Sequence, residues 1–439
     1  MRKNVSILQN TILLTGVNLL LRLLAMVFQI ILSKKIGPAG IGLLQLILSV
    51  RGLAFTAGSA GVRTCAMYLT AGALGRRQEV REVVRGCFSY GALTSAAAAA
   101  ALWAGAPVLA KSWIGDPSAL PALRVFAAFL PVSCLCGVVS GCLTAAGRIG
   151  TLAAADLLRQ LCAMASSLLL LSLWTPTEPG RACLAASLGD SFASLGAFFL
   201  LLFFYHRPPG PCRPRPQRRR TLRRVIRTAM PIGAADSLRA GINALENLII
   251  PQRLALFGGT ADALADYGIL HGMVFPLLMF PAVLLFSLAE LLVPEFSRCA
   301  AGERWPRVRY LVRRGLRTAL GFSLTVSLGM FFCGPALGQI LYRSRQAGAS
   351  LRLYALFVPL LYTDAIVDAM CKGLGQQSAN ARYNLLTSCL DVALLWFLLP
   401  RYGLGGYYFS FAVSHSVNFV LSLRRLLSAV RPEAKVSRR

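Results

Sequence analysis

Apolar runs of roughly 20 residues or more, the length a helix needs to cross a bilayer, recur along the whole of this chain. Broken at Gly, Pro and charge clusters, the sequence predicts twelve spans: 7–33, 41–70, 86–112, 120–146, 150–173, 182–205, 225–256, 263–297, 308–333, 350–372, 379–399 and 404–427. Several are longer than hydrocarbon requires, which predicts tilt, kinks or extension beyond the bilayer. In lipid every backbone N–H and C=O needs an internal partner, so each span is expected to be a helix. The runs lack the period-two alternation of a transmembrane β-barrel. Composition agrees: 56% of residues are hydrophobic and 14% charged, against about 25% charged in soluble domains. The expected fold class is an all-α polytopic membrane protein.

The net charge of +29 sits between the apolar runs rather than on them. It is read as membrane topology, and no nucleic-acid partner is expected. With the N-terminus in the cytoplasm and the spans alternating, 31 of the 46 basic residues fall inside and 10 outside. That bias places both termini in the cytoplasm of a cell-membrane protein. The first run continues to Leu32, too long for a signal-peptide core, and is read as a retained span. The cysteines lie mostly in apolar segments without a CxxC pair, so disulfides and metal sites are not expected.

The segment HRPPGPCRPRPQRRR, from His206 to Arg220, is basic and proline-rich, and no acidic residue occurs between Asp190 and Asp236. It is expected to be an extended cytoplasmic linker. The predicted organisation is a six-helix bundle over 1–205, a linker over 206–222, a second six-helix bundle over 223–428 and a basic tail over 429–439. Six spans on each side of a linker is the pattern of a transporter built from two related bundles.

Ionisable residues at membrane depth cost about 2.5–3.5 kcal/mol on insertion scales and usually mark a pathway or a partner. Span 1 places Asn18, Arg22 and Gln29 on one helical face. Span 2 carries Arg51 and Arg63. Span 7 carries Asp236, Arg239, Asn243 and Glu246 at offsets of three and four. Asp156 with Arg159, and Asp236 with Arg239, are spaced to neutralise each other as i,i+3 pairs. Arg22, Arg51 and Arg63 have no acidic residue within one turn of the same span. They either find a partner on another helix or stay unpaired in a water-filled cavity; the cavity is the favoured reading, since guanidinium groups there make a phosphate site. Asp364 and Asp368 in span 10 and Asp391 in span 11 are candidates for proton or sodium coupling, with interhelical hydrogen bonding as the alternative. His415, with Asn418 nearby, reads as a packed polar residue.

No GxxxxGK[ST], HExxH or GxSxG occurs, so no catalytic residues and no ATP hydrolysis are expected. IIPQRLALFG, then YGILHGMVFPLLMFPAVLLFSLAELLVPEFSRCAA, and KGLGQQSANARYNLLTSCLDVALLWFLLPRYGLGGYYFSFAVSHSVNFVLSLRRL resemble the stage V sporulation protein B group of polysaccharide-type exporters. The opening, with Arg22 followed by KKIGPAGIGLLQL, is similar in order and spacing. That group shares a superfamily with multidrug and toxin extrusion transporters and lipid II flippases. The resemblance implies twelve helices in two lobes with a V-shaped central cavity, alternating access and a lipid-linked sugar precursor, such as peptidoglycan of the spore cortex. It also implies cavity-lining arginines on spans 1, 2 and 7, for which Arg22, Arg51 and Arg239 are the counterparts. Phe28 stands where that pattern has a second basic residue on span 1.

The function expected is therefore a flippase for a lipid-linked oligosaccharide. Arg22, Arg51, Arg63 and Arg239 would hold its pyrophosphate. Asn18, Asn243, Glu246 and Asp236 would complete the site. No cofactor is expected; the driving force would be Na+, H+ or membrane potential. The expected partners are membrane lipids, the lipid-linked sugar and envelope-synthesis enzymes. The alternatives are an ion-coupled antiporter for cationic compounds and a non-transporting scaffold for envelope synthesis.

Overall fold

The structure is a computed structural model that describes residues 2–75, 80–174, 178–205 and 218–430. The first twelve residues of the predicted linker (206–217) and most of the basic tail (431–439) lie outside the described residues. Helices account for nearly all of the rest: α1 (Arg2–Ser59), α2 (Val62–Gly75), α3 (Val80–Val108), α4 (Leu120–Ala145), α5 (Ile149–Trp174), α6 (Pro179–Tyr205), α7 (Arg218–Gly258), α8 (Thr260–Tyr267), α9 (Phe275–Met279), α10 (Ala282–Ala301), α11 (Trp305–Tyr342), α12 (Arg345–Ala355), α13 (Val358–Gly373), α14 (Gln377–Tyr402) and α15 (Leu404–Val430). No strand occurs among the described residues. The chain is an all-α, multi-pass membrane protein.

Seven helical stretches among the described residues are long and apolar enough to cross a membrane, and two bent helix pairs raise the number to nine. The stretch Gly16–Ala73 contains two predicted spans, because Gly37 breaks α1 at φ 72°, ψ 176°. A side chain resists that conformation, and Pro38 just beyond it favours the first turn of a new helix. The remaining two predicted spans coincide with α7 and α15.

Spans 8 and 10 are not the continuous helices expected from hydropathy. Asp262–Met279 and Ala282–Ala301 meet at 60°, and Arg345–Ala355 meets Val358–Gly373 at 55°. Pro281 and Pro359 sit at these bends, where a missing N–H ends the helical ladder. Span 2 is interrupted too, at Ala60 and Gly61, both with positive φ. Backbone oxygens near the break are taken up by side chains: Thr94 Oγ1 donates to the Gly58 carbonyl at 2.8 Å and Tyr90 Oη to the Ala60 carbonyl at 3.4 Å. A broken helix survives at membrane depth only with such substitutes.

The chain divides into two compact units. One comprises Met1–Phe28 and Leu43–Leu248, the other Gln29–Gly42 and Ile249–Arg439. These boundaries differ from the division at 205 and 223 that the linker suggested. In the first unit, α2, α3 and α4 share one core with the start of α7, through Val62, Cys65, Val84, Cys87, Val138, Val225 and Ala229. In the second, Ile41 and Gly42 pack closely against Gly272 and Gly268. Here α10 and α11 pack on α13, and α14 packs on α15. Lipid offers no hydrophobic drive between helices, so close packing of small side chains holds these cores.

Candidate functional site

In the first unit, small residues bring α5 and α6 together. A Cβ added at Gly189 would lie 2.2 Å from Ser167 Oγ and 2.6 Å from Ser167 N, so the helices touch almost backbone to backbone. Ser166 Oγ donates to the Gly189 carbonyl at 3.1 Å and Ser167 Oγ to the Ala186 carbonyl at 3.4 Å. This approach carries Arg159 of α5 to Asp190 of α6, with Arg159 Nη1 3.3 Å from Asp190 Oδ1. The other carboxylate oxygen meets Arg51 Nη2 from the second stretch of α1. The Arg51 guanidinium lies 4.5 Å from the centre of the Phe126 ring on α4, within cation–π range. Farther along, Asp156 of α5 interacts electrostatically with Arg159 and with Arg63 of α2. Counted formally, Arg51, Asp190, Arg159, Asp156 and Arg63 on α1, α6, α5 and α2 carry one net positive charge.

This corrects two expectations. Arg51 is not unpaired; its acid comes from another helix. Arg159 is not simply the i,i+3 partner of Asp156, because it also binds Asp190. The missed residue is Asp190, the single acidic residue of the sixth apolar run. That isolation was the available signal.

All eight residues predicted to hold substrate belong to the first unit. Asn18 and Arg22 are exposed on the first stretch of α1, and Arg63 is exposed at the start of α2. Asp236, Arg239 and Asn243 are exposed along α7, and Glu246 is half-buried one turn further on. The structure thus joins Arg51 and Arg63 to the charge row and leaves Arg239 and Asn243 exposed on α7.

The second unit holds a separate polar network. Asp391 of α14 is buried, and its Oδ1 accepts from Ser410 Oγ at 2.6 Å and Ser414 Oγ at 2.9 Å, both on α15. Asp364 Oδ2 of α13 accepts from Asn418 Nδ2 at 2.9 Å, and Thr387 Oγ1 donates to Asn418 Oδ1 at 3.4 Å. Asp368 accepts from Asn380 Nδ2. Among the described residues neither Asp391 nor Asp364 forms an ion pair. Asp364 Oδ1 and Asn380 Oδ1 are buried without a donor among those residues. His415 packs 4.2 Å from the Phe411 ring, as its reading as a packed residue requires. Ser410 and Ser414, the partners of Asp391 that the sequence reading missed, belong with Asn418 and Ser422 to a four-residue repeat on one buried face of α15, and that spacing was the available signal.

A family model described as lipid II flippase MurJ matches residues 107–436. Stage V sporulation protein B of Bacillus subtilis (strain 168) is 22% identical over 410 residues, spanning 91% of this chain and 79% of that protein. Sporulation protein YkvU of the same organism is 28% identical over 141 residues, 31% of each chain. Among solved structures, the inward-facing conformation of a multidrug resistance MATE family transporter of the MOP superfamily aligns with a TM-score of 0.76 at 14% identity. That alignment covers 94% of this chain and 96% of that one. The bent form of the Vibrio cholerae MATE transporter VcmN aligns with a TM-score of 0.65 at 15% identity, covering 98% of each chain. At these identities the structural likeness establishes the fold alone. The match over residues 107–436 establishes more: this chain belongs to the lipid II flippase MurJ family.

Proposed function

We propose that this protein moves a lipid-linked, pyrophosphate-bearing sugar precursor across the cytoplasmic membrane by alternating access, in envelope polysaccharide synthesis or sporulation. The observation that carries the proposal is the charge row of Arg51, Asp190, Arg159, Asp156 and Arg63 on otherwise apolar helices. A net cation at membrane depth is strongly unfavourable without function or partner. Guanidinium groups bind phosphate bidentately. Arg22, Arg239, Asn18 and Asn243 extend the polar surface of the same unit, and Asp236 and Glu246 moderate its charge. Both termini are assigned to the cytoplasm, as the distribution of basic residues supports.

The test is single replacement of Arg22 and Arg239 by alanine, with membrane levels confirmed and translocation of a fluorescent lipid-linked oligosaccharide measured in vesicles. Each variant is expected to lose about tenfold in rate, the size of one charge-assisted hydrogen bond. Unchanged rates in both would favour a membrane scaffold.

Ion coupling is assigned to the second unit. The Asp391 carboxylate is buried and met by neutral hydroxyl donors, which makes it the first candidate to take up a coupling proton or monovalent cation. Asp364, with one oxygen left without a donor, and Asp368 are the neighbouring candidates. These carboxylates also favour a second reading, antiport of cationic compounds. In proteoliposomes, Asp391→Asn is expected to remove the response of transport to an imposed Na+ or H+ gradient and to leave substrate binding intact. Export of a cationic dye that depends on Asp364, with no effect of the arginines on sugar translocation, would replace the flippase proposal by the antiporter.

A further inference from the structure

Asp190 stands where two cations converge. Arg51 contacts one of its oxygens and Arg159 the other. The side chains of Arg51, Arg159 and Asp190 are 23%, 33% and 22% exposed, so the trio is not sealed inside the helix packing. Two arginines without an anion among apolar helices would be strongly destabilising. One carboxylate relieves both, yet it leaves the trio with a positive charge.

We infer that Asp190 is the resident counter-anion of the substrate site, holding Arg51 and Arg159 in the empty carrier and yielding them to the substrate's pyrophosphate. The inference rests on the flippase reading and adds a residue to it. Guanidinium pairs with a carboxylate and with a phosphate through the same fork of N–H donors, so the exchange needs little reorientation. The pyrophosphate brings more negative charge than the carboxylate it displaces. Phe126, under the Arg51 guanidinium, keeps that group in place while its anion changes. Asp190 is thus a positioning residue, and it sets affinity by competition rather than by contact with substrate. It also favours release, because the carboxylate recaptures the arginines as the product departs.

The experiment uses the purified full-length chain with farnesyl pyrophosphate as the anionic probe and farnesol as its uncharged control. Wild type is expected to bind the pyrophosphate in preference to the alcohol. Asp190→Asn is expected to bind it about tenfold tighter, as removal of one competing charge predicts, and to translocate substrate more slowly because release is delayed. Asp190→Glu keeps the competitor and is expected to stay within about twofold of wild type. A charge-balanced comparison serves if Asp190→Asn fails to accumulate. Arg159→Gln alone is expected to weaken binding about tenfold, and Arg159→Gln with Asp190→Asn to restore it to the wild-type level or better. Rescue by loss of an acid is not produced by a merely structural role. Folded Asp190→Asn that binds no tighter than wild type, or a double variant no better than Arg159→Gln, would overturn the inference alone. Equal binding of farnesyl pyrophosphate and farnesol by wild type would overturn the flippase reading with it.

Discussion

Arg51→Ala is expected to reduce translocation of a lipid-linked oligosaccharide about 10- to 100-fold at normal membrane levels. The range follows from about 1.5–3 kcal/mol for a hydrogen bond to a charged group. Arg51 joins the charge row at its α1 end, and its guanidinium is held from two sides, by Asp190 and by the Phe126 ring. Its removal takes away a proposed phosphate donor and leaves Asp190 to Arg159 alone. Arg51→Lys keeps the charge and loses the planar fork, so an intermediate rate is expected. The measurement is flux in vesicles with protein levels matched. Wild-type flux from the alanine variant would end the assignment of Arg51 to the site.

Gly189→Leu is expected to prevent stable accumulation in the membrane, or to lower the melting temperature by roughly 10 °C, from about 3 kcal/mol of overpacking. The neighbours are Ser167 N and Cα at 2.6 and 2.9 Å from an added Cβ, and backbone atoms cannot swing away as a side-chain tip can. The two helices must separate, and Asp190, the next residue, moves with them. Gly196 on the same helix is the control: nothing lies within 4 Å of an added Cβ there. Gly196→Ala is expected to leave both the melting temperature and transport unchanged. Equal effects at the two positions would show that α5–α6 proximity does not hold the site together.

The sequence revealed the helical, membrane-spanning character and the approximate place of each span, because hydropathy measures the requirement that lipid imposes. It revealed the ends less well. The span expected at 308–333 is part of α11, Trp305–Tyr342, whose first turns carry Arg307, Arg309, Arg313, Arg314 and Arg317. Those residues suit headgroups and water although the expected span takes most of them in, and at its other end that span stops short of Tyr342. The bends near Pro281 and Pro359 were hinted at by proline, but proline inside a run does not say whether a helix kinks or stops. The arginines were visible as anomalies in apolar runs. Their partner was not, because Arg51 and Asp190 are far apart in sequence and meet only in the folded chain. The serines around Asp391 were overlooked for a different reason. Serine is small and nearly neutral in hydropathy, so a serine face on α15 does not interrupt the apolar signal.

The hydroxyls around Asp391 have a consequence for how the second unit responds to loading. A hydroxyl both gives and receives a proton. Ser414 Oγ also lies 2.8 Å from the Ser410 carbonyl, and Ser410 Oγ 3.4 Å from the Asp391 carbonyl, so each rotor has a second resting place. Were the proposed coupling proton or Na+ to bind this acid, each rotor could swing to its carbonyl and offer lone pairs to the newcomer. On that proposal, loading and unloading would ask for a torsional flip of two small groups.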